Sequence, residues 1–147
     1  MNKVKLAEKI ARKAHEGQTR WDKSVPYITH PKAVANAFKE YKPWEEDEIQ
    51  EHMAVAWLHD VIEDCNMTKK NLLEAGISER IAVLVEILSK DKNERYLDYI
   101  LRVKENDIAT EVKIEDIKHN MSTLIEKDEL TKTRIQRYDL ALYILEN

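Results

Sequence analysis

Apolar residues recur at steps of three and four along nearly the whole chain, the spacing that places side chains on one face of an α-helix. The first run covers residues 4–14 and predicts a helix that Gly17 ends. Residues 18–29 break the pattern and predict a loop, and Pro31 stands where a second helix begins. Strict two-residue alternation bounded by turns does not occur in the sequence, so the pattern predicts an all-α fold.

The later segments repeat this helical pattern. Four acidic residues at 45–48 suit the first turn of a third helix, where the helix dipole favours negative charge. Thr68 and Ser78 are the expected N-caps of the next two helices, and Gly76 ends the first of them. Three more helices are predicted from an apolar face (Tyr96, Leu97, Ile100, Leu101), from a start at Asp107 and from a start at Thr131. We therefore expect one domain over residues 1–147, a helical bundle of about seven or eight helices.

The composition excludes several classes of protein. Hydrophobic residues make up 43% and charged residues 35%, as in a soluble globular protein, and two Gly and three Pro are too few for a many-turned β-sandwich. A formal charge of −4 gives no reason to expect a nucleic-acid partner. Because Cys65 is the single cysteine and no stretch approaches the roughly 18–20 apolar residues of a membrane span, we expect a cytoplasmic protein with no membrane role.

The charges are unevenly distributed along the chain. Residues 1–40 carry nine basic and four acidic side chains, whereas residues 41–66 carry one basic and eight acidic side chains. A basic segment beside an acidic one suits a site for a metal cation and a phosphorylated ligand. It equally suits two solvated helix faces, which is the commoner case.

The segment HDVIED holds four groups that could bind a metal or transfer a proton: His59, Asp60, Glu63 and Asp64. On a helix, His59 would stack over Glu63, and Asp60 over Asp64. The segment follows an apolar run, residues 53–58, that should be buried, and buried carboxylates are costly unless they are paired or bind a cation. The alternative is a polar helix C-terminus whose histidine bonds the last carbonyl groups.

Two further positions complete a candidate ligand set. His30 precedes Pro31 at a helix start, where it could cap the helix or point inward as a ligand. Asp116 and Asn120 are four residues apart and so project from one helical face. The set His30, His59, Asp60 and Asp116 suits Mn²⁺, Fe²⁺ or Zn²⁺ better than Ca²⁺ and leaves open positions for water and substrate.

Three motifs in this sequence resemble those of the HD superfamily of metal-dependent phosphohydrolases, and more closely the RelA/SpoT-type hydrolase domain. They are AHEGQTR at 14–20 with PYITHP at 26–31, WLHDVIED at 57–64, and KIEDIKHNMSTL at 113–124. The match runs in order over roughly residues 5–145. An HD pair alone would be a weak signal, whereas three linked motifs are specific.

The resemblance implies a role for each matching position. It assigns metal ligation, most often of Mn²⁺, to the four residues of the ligand set, and it assigns activation or orientation of the attacking water to Glu63 and Asp64. It implies nucleotide contacts for Arg20, Asn120 and Thr123. Three other histidines receive no catalytic role: His15 as a packing or supporting residue, His119 as a structural residue off the Asp116/Asn120 face, and His52 without a motif.

The chain departs from the family pattern at two substrate-side positions. Trp21 stands where the family commonly has Lys, and Ser122 stands where it commonly has Arg. Trp21 could stack on a base or a sugar, or it could cover the core. Arg20 is then the expected phosphate-binding group, with Lys23 nearby in the same loop.

The sequence thus predicts a stand-alone, metal-dependent pyrophosphohydrolase that acts on a small guanosine polyphosphate of the ppGpp type. Two alternatives stay open. One is an HD phosphohydrolase acting on another (deoxy)nucleotide, and the other is a non-catalytic nucleotide-binding module with the same fold. Assembly into a homo-oligomer is likewise open.

Overall fold

The structure, a computed structural model, describes residues 2–41, 43–125 and 129–147. Over these residues it consists of helices, loops and an isolated β-bridge between Thr19 and Pro26, with no β-strand. The described helices are α1 Lys3–Ala14, α2 Thr29–Asn36, α3 Glu46–Leu58, α4 Val61–Asp64, α5 Lys69–Glu74, α6 Glu79–Ile87, α7 Tyr96–Lys104, α8 Asp107–Thr123 and α9 Glu129–Glu146. Since α4 is a single turn and the other eight are longer, the predicted all-α bundle of about seven or eight helices is confirmed.

Local capping signals set several helix boundaries as predicted. The Thr68 hydroxyl accepts a hydrogen bond from the Asn71 N–H at 3.1 Å, and the Asn71 side chain accepts one from the Thr68 N–H at 2.9 Å. This reciprocal pair closes the first turn of α5. The Ser78 hydroxyl caps α6 by accepting from Ile81 N–H at 3.2 Å. Gly17 follows α1 with a φ of +81°, a conformation that favours glycine.

Helix α3 lies at the centre of the bundle. It packs against α1, α2, α6 and α8, and residues 54–58 are each at most 4% exposed. Small side chains at the contact, Ala7 and Ala11 on α1 and Ala54 on α3, are fully buried and allow the helices to approach closely. The C-terminal end of α3 therefore delivers its last side chains into the protein interior.

The structure corrects three expectations about helix faces and starts. On α7 the buried residues are Tyr99, Ile100 and Val103, whereas Leu97 and Leu101 are 42% and 52% exposed, so the predicted face was partly wrong. Tyr99 and Val103 complete a face together with Ile100, and the helix has apolar residues on more than one side. Helix α2 begins at Thr29 rather than Pro31, and α9 includes Glu129, ahead of the predicted start. None of the described helices is both long and apolar enough to cross a bilayer.

Candidate metal centre

Four predicted ligand side chains meet where α2, α3 and α8 converge. His30, in the first turn of α2, has Nε2 2.8 Å from Asp116 Oδ1 on α8 and 3.8 Å from Asp60 Oδ2. His59, directly after α3, has Nε2 3.1 Å from Asp60 Oδ2 and 3.4 Å from Asp116 Oδ1. Two ligand atoms that share one ion at about 2.0–2.2 Å lie at most about 4.4 Å apart. The donor atoms of His30, His59 and Asp116 therefore fit a single metal ion, and Asp60 lies beside this group, with Oδ2 3.1 Å from His59 Nε2.

The hydrogen bonds of His59 leave one ring nitrogen free to bind a cation. Its Nδ1 donates to the carbonyl oxygen of Ala56 at 2.6 Å, so in the neutral ring that binds a metal ion Nε2 carries the lone pair. His59 Nε2 is buried and has no hydrogen-bond partner in the described part of the chain, because its contacts with the two carboxylates lack hydrogen-bond geometry. A buried nitrogen without a partner is costly. A cation bound between His59 Nε2 and the nearby carboxylate oxygens of Asp60 and Asp116 would give this nitrogen a partner.

The electrostatics of the site favour a cation. Burial disfavours a charged His59, but the carboxylates of Asp60 and Asp116 outweigh burial and raise the pKa of His59 well above its ordinary value. Burial also opposes ionisation of Asp116, yet the Lys113 ammonium, 2.8 Å from Oδ2, and His59 hold the pKa of Asp116 well below its usual range. Both aspartates are thus carboxylates at neutral pH. The negative charge of these carboxylates, which favours a proton on His59, also favours a divalent ion at this site.

Neighbouring side chains orient the donors. The Tyr27 hydroxyl donates to Asp60 Oδ2, and Asn120 Nδ2 donates to Asp116 Oδ1 at 3.1 Å. His15 packs on the Tyr27 ring with centroids 4.7 Å apart, in line with the supporting role the resemblance implied. Sequence reasoning gave no role to Tyr27 or Lys113. The spacing of Lys113, three residues before Asp116 on one helix, could have identified the second of them.

His119 contacts the predicted ligand His30, so its predicted placement away from the Asp116/Asn120 face was wrong. Its Nδ1 is 2.8 Å from Nδ1 of His30, and the ring centroids lie 5.0 Å apart with the ring planes 29° from parallel. Burial, and then the charge of His30, lower the pKa of His119 to about 4. His119 is therefore neutral near pH 7, and its Nδ1 can accept a hydrogen bond from His30 Nδ1.

The acidic pair after the HD residues is arranged differently from the expected stack. Helix α3 ends at Leu58 and α4 begins at Val61, so the backbone turns at the HD pair itself. Glu63 is exposed and accepts a hydrogen bond from the Lys90 N–H at 2.8 Å. Asp64 is also exposed, and partial desolvation with the charges of Asp60 and Glu63 raises its pKa to about 6. The apolar run that precedes the pair is buried over residues 54–58, whereas the pair itself is exposed.

The predicted substrate residues form a second cluster, held by the loop between α1 and α2. Arg20 is buried, and its Nη2 donates to Asn120 Oδ1 at 3.1 Å and to Thr123 Oγ1 at 2.7 Å. Trp21 Nε1 donates to the Thr123 carbonyl at 2.8 Å, and the Arg20 guanidinium lies 4.6 Å from the Trp21 ring. Lys23 is exposed and, among the described residues, has neither a hydrogen-bond nor an ion-pair partner.

A small cleft lies against the second cluster and reaches His119, which contacts His30. It has a volume of about 190 Å³, and its lining includes Arg20, Trp21, Thr123 and His119. Of the four predicted ligands, Asp60 has the most exposed side chain, at 16%, against 1% for His30 and 4% for Asp116. Solvent therefore reaches the ligand cluster from the side of Asp60.

Residues 7–132 match a protein family described as HD domain. The chain belongs to the HD domain family. HD domain hydrolases use a divalent metal ion, and the donor atoms of His30, His59 and Asp116, which lie within 4.8 Å of one another, could hold one.

Curated relatives of this HD domain are larger proteins. The guanosine-3′,5′-bis(diphosphate) 3′-pyrophosphohydrolase of Vibrio cholerae is 37% identical over 145 residues, a match that covers 91% of this chain and 20% of the relative. The bifunctional (p)ppGpp synthase/hydrolase SpoT of Escherichia coli K12 is 35% identical over 154 residues, covering 97% and 21%. This chain thus spans about a fifth of the length of these relatives.

A solved structure resembles the whole HD domain. It is described as a metazoan ortholog of SpoT that hydrolyses ppGpp and plays a role in starvation responses. The TM-score is 0.77 at 17% sequence identity, and the match covers 99% of this chain and 85% of that chain. At this level of identity the likeness establishes the fold.

Proposed function

We propose that this protein is a metal-dependent hydrolase that removes the 3′-pyrophosphate of a guanosine polyphosphate of the ppGpp type. One observation carries the proposal. The Asn120 amide donates to Asp116 in the ligand cluster at 3.1 Å and accepts from Arg20 in the second cluster at 3.1 Å. A single side chain thus links the candidate metal site to the candidate phosphate-binding arginine. The names of the curated relatives support the same activity.

We assign metal ligation to His30, His59, Asp60 and Asp116, and Mn²⁺ is the proposed ion, with Fe²⁺ and Zn²⁺ next. Two imidazoles and two carboxylates form a mixed nitrogen and oxygen set that suits these ions. A bound divalent ion supplies Lewis acidity, which lowers the pKa of water and neutralises charge on phosphoryl oxygens.

Within the protein, proton transfer is assigned to the acidic pair. Asp64, with a pKa of about 6, is mostly ionised at neutral pH and can accept the proton of the attacking water. Glu63 is proposed to orient that water. The water oxygen attacks the phosphorus attached to the ribose 3′ oxygen, and the bond between that phosphorus and the 3′ oxygen breaks. The 3′ oxygen takes a proton, so the products are a nucleoside 5′-diphosphate and pyrophosphate.

Substrate binding is assigned to the second cluster. Arg20 directs its remaining N–H groups to a phosphate, Asn120 and Thr123 hold its guanidinium, and Lys23 adds exposed positive charge from the same loop. Trp21 offers a partly exposed ring for stacking on the base or the sugar. The free thiol of Cys65 supports the proposed cytoplasmic location.

Trp21 favours a second candidate, an HD phosphohydrolase that acts on another (deoxy)nucleotide. The indole occupies the position at which the family commonly has a lysine, and guanidinium carbons of Arg20 and Arg134 lie 4.6 and 5.6 Å from its ring. An aromatic ring here would select a base or sugar by stacking rather than a phosphate by charge.

A hydrolysis panel separates these candidates. Purified protein is stripped with EDTA, reloaded with Mn²⁺, Fe²⁺ or Zn²⁺, and incubated with ppGpp, dGTP or GMP, and the products are resolved by ion-exchange chromatography. We expect GDP and pyrophosphate from ppGpp with Mn²⁺, and loss of both metal binding and turnover in Asp60→Asn. Turnover of dGTP or GMP but not ppGpp would favour the second candidate. Metal and ppGpp binding without any turnover would identify a non-catalytic nucleotide-binding module.

A further inference from the structure

An apolar groove lies between α1 and the segments that hold Cys65, Met67 and Ala75, and none of the predicted catalytic and binding residues lines it. Its volume is about 530 Å³, within the usual size range of small-molecule sites. Six apolar side chains line it: Leu6, Ile10, Ala14, Cys65, Met67 and Ala75. Among the described residues, the rest of the lining consists of Lys9 and Lys13.

The sequence of α1 explains why the groove is apolar. Ala7 and Ala11 are fully buried in the core, whereas Leu6 and Ile10, one turn apart, are only partly buried. Helix α1 therefore presents apolar side chains on two sides. The turn at Gly76, next to Ala75, lies beside Leu6, because a Cβ at Gly76 would be in van der Waals contact with Leu6 Cδ2 at 3.5 Å. Small side chains at Ala14 and Ala75 leave the space between the walls open.

Positive charge lines one edge of the groove. Lys9 and Lys13, one turn apart on α1, are both exposed and are the charged residues of the lining. Neither ammonium has an ion-pair or hydrogen-bond partner over residues 2–41, 43–125 and 129–147. Two other cations of α1 are paired away from the groove: Lys3 with Asp47 and Arg12 with Glu8.

We propose that this groove binds a single-chain fatty carboxylate. The alkyl chain lies along Leu6 and Ile10, where each buried methylene is removed from water, and the carboxylate lies between Lys9 and Lys13. An apolar channel alone would accept any hydrophobic group. The two unpaired ammonium groups at one edge select an amphiphile with a negative head group. This proposal does not depend on the hydrolase activity.

Cys65 reports directly on occupancy of the groove. It is the one cysteine in the sequence, it is partly exposed, and it lines the groove. Full-length protein is alkylated with iodoacetamide while decanoate is titrated below its micelle concentration, and the rate is followed by intact mass. We expect saturable protection of Cys65. Because each buried methylene contributes about 0.8 kcal/mol, decanoate should bind more tightly than octanoate by several-fold, up to about fifteenfold.

Charge reversal tests the role of the lysines. The variant K9E/K13E should weaken decanoate protection at least tenfold, with the wild-type circular dichroism spectrum retained. The control K5E/K118E changes the net charge equally at exposed positions outside the groove and should protect as the wild type does. Absence of protection by decanoate would overturn the proposal. Equal protection by neutral decanol, or unchanged protection in K9E/K13E, would also overturn it by showing a merely hydrophobic surface.

Discussion

His30 Nδ1 lies 2.8 Å from His119 Nδ1, and with ring centroids 5.0 Å apart the two imidazoles meet edge to edge through these nitrogens. If His30 offers Nε2 to a metal ion, its Nδ1 carries the proton and needs an acceptor. His119 supplies one, because burial above all lowers the pKa of His119 to about 4 and keeps it neutral. With a metal ion on Nε2, His119 would therefore fix the tautomer and the ring orientation of His30.

Replacing His119 with alanine should weaken metal binding by about 10–100-fold, the usual cost of removing a partner that orients a ligand. Titration calorimetry of Mn²⁺ into metal-stripped protein measures the change. Lys118→Ala, at the exposed neighbouring position, is the control and should bind Mn²⁺ as the wild type does. Equal affinities in the two variants would show that His119 only fills space.

Helical periodicity predicted most of the architecture but not the orientation of every site residue. The caps at Thr68 and Ser78 were readable because capping depends on neighbours within one turn. The turn at the HD pair was not readable, since no Gly or Pro lies within residues 53–64 to mark it. Helical spacing therefore predicted that His59 stacks over Glu63, whereas in the structure α3 ends at Leu58 and Glu63 accepts a hydrogen bond from the Lys90 N–H.

Long-range pairs account for the other omissions. Tyr27 and Asp60 are 33 positions apart, so no local pattern connects the hydroxyl with the carboxylate it bonds. His119 follows Asp116 by three residues, and positions three apart share a helix face as positions four apart do. The predicted inward face of α8 included only Asp116 and Asn120 and left His119 out. The contact between His119 and His30 also depends on the packing of α2 against α8, which local spacing does not show.

Arg20→Lys should raise the KM for ppGpp by about tenfold or more while Mn²⁺ affinity stays within about threefold of the wild type. A lysine keeps the positive charge but cannot bond Asn120 and Thr123 and still direct two parallel N–H groups at a phosphate. Steady-state kinetics with pyrophosphate detection measures KM. Lys23→Ala removes an exposed charge and should raise KM less. A larger effect at Lys23 than at Arg20 would contradict the proposed phosphate site.

Arg102→Ala should lower the free energy of unfolding by about 1–3 kcal/mol. Its guanidinium bonds Glu94 Oε2 and Oε1, each at 2.9 Å, and the carbonyl oxygens of Ile87 and Ser89 at 2.8 and 3.0 Å, joining α7 to the loop after α6. Urea unfolding followed by circular dichroism measures the loss. Arg95→Ala is the matched control, because its ion pair is exposed and should cost at most about 0.5 kcal/mol.

The same contact gives stability a defined pH dependence. The hydrogen bond from Arg102 lowers the pKa of Glu94 below its ordinary value. A carboxyl whose pKa is lower in the folded state stabilises the fold above its unfolded pKa and loses that contribution as the pH falls through its folded pKa. Between about pH 5 and pH 3, the stability difference between wild type and Arg102→Ala should therefore shrink. A constant difference across this range would rule out the Glu94 contact as its source.

Asp64→Asn should lower kcat by about 10²–10⁴-fold with metal content unchanged, as expected when a general base is removed. Asp64 is the candidate because partial desolvation and the charges of Asp60 and Glu63 raise its pKa to about 6, close to the pH at which it would work. A base acts when it is deprotonated, so the wild-type rate should rise with pH through this pKa and level off above it. A bound cation favours the ionised carboxylate, which places the rise at or below pH 6. In Asp64→Asn the rise of the rate with pH should disappear. Glu63→Gln should slow turnover but keep this rise, since Glu63 is proposed only to orient water. A pH profile that keeps its acid limb in Asp64→Asn and loses it in Glu63→Gln would assign the base to Glu63 instead.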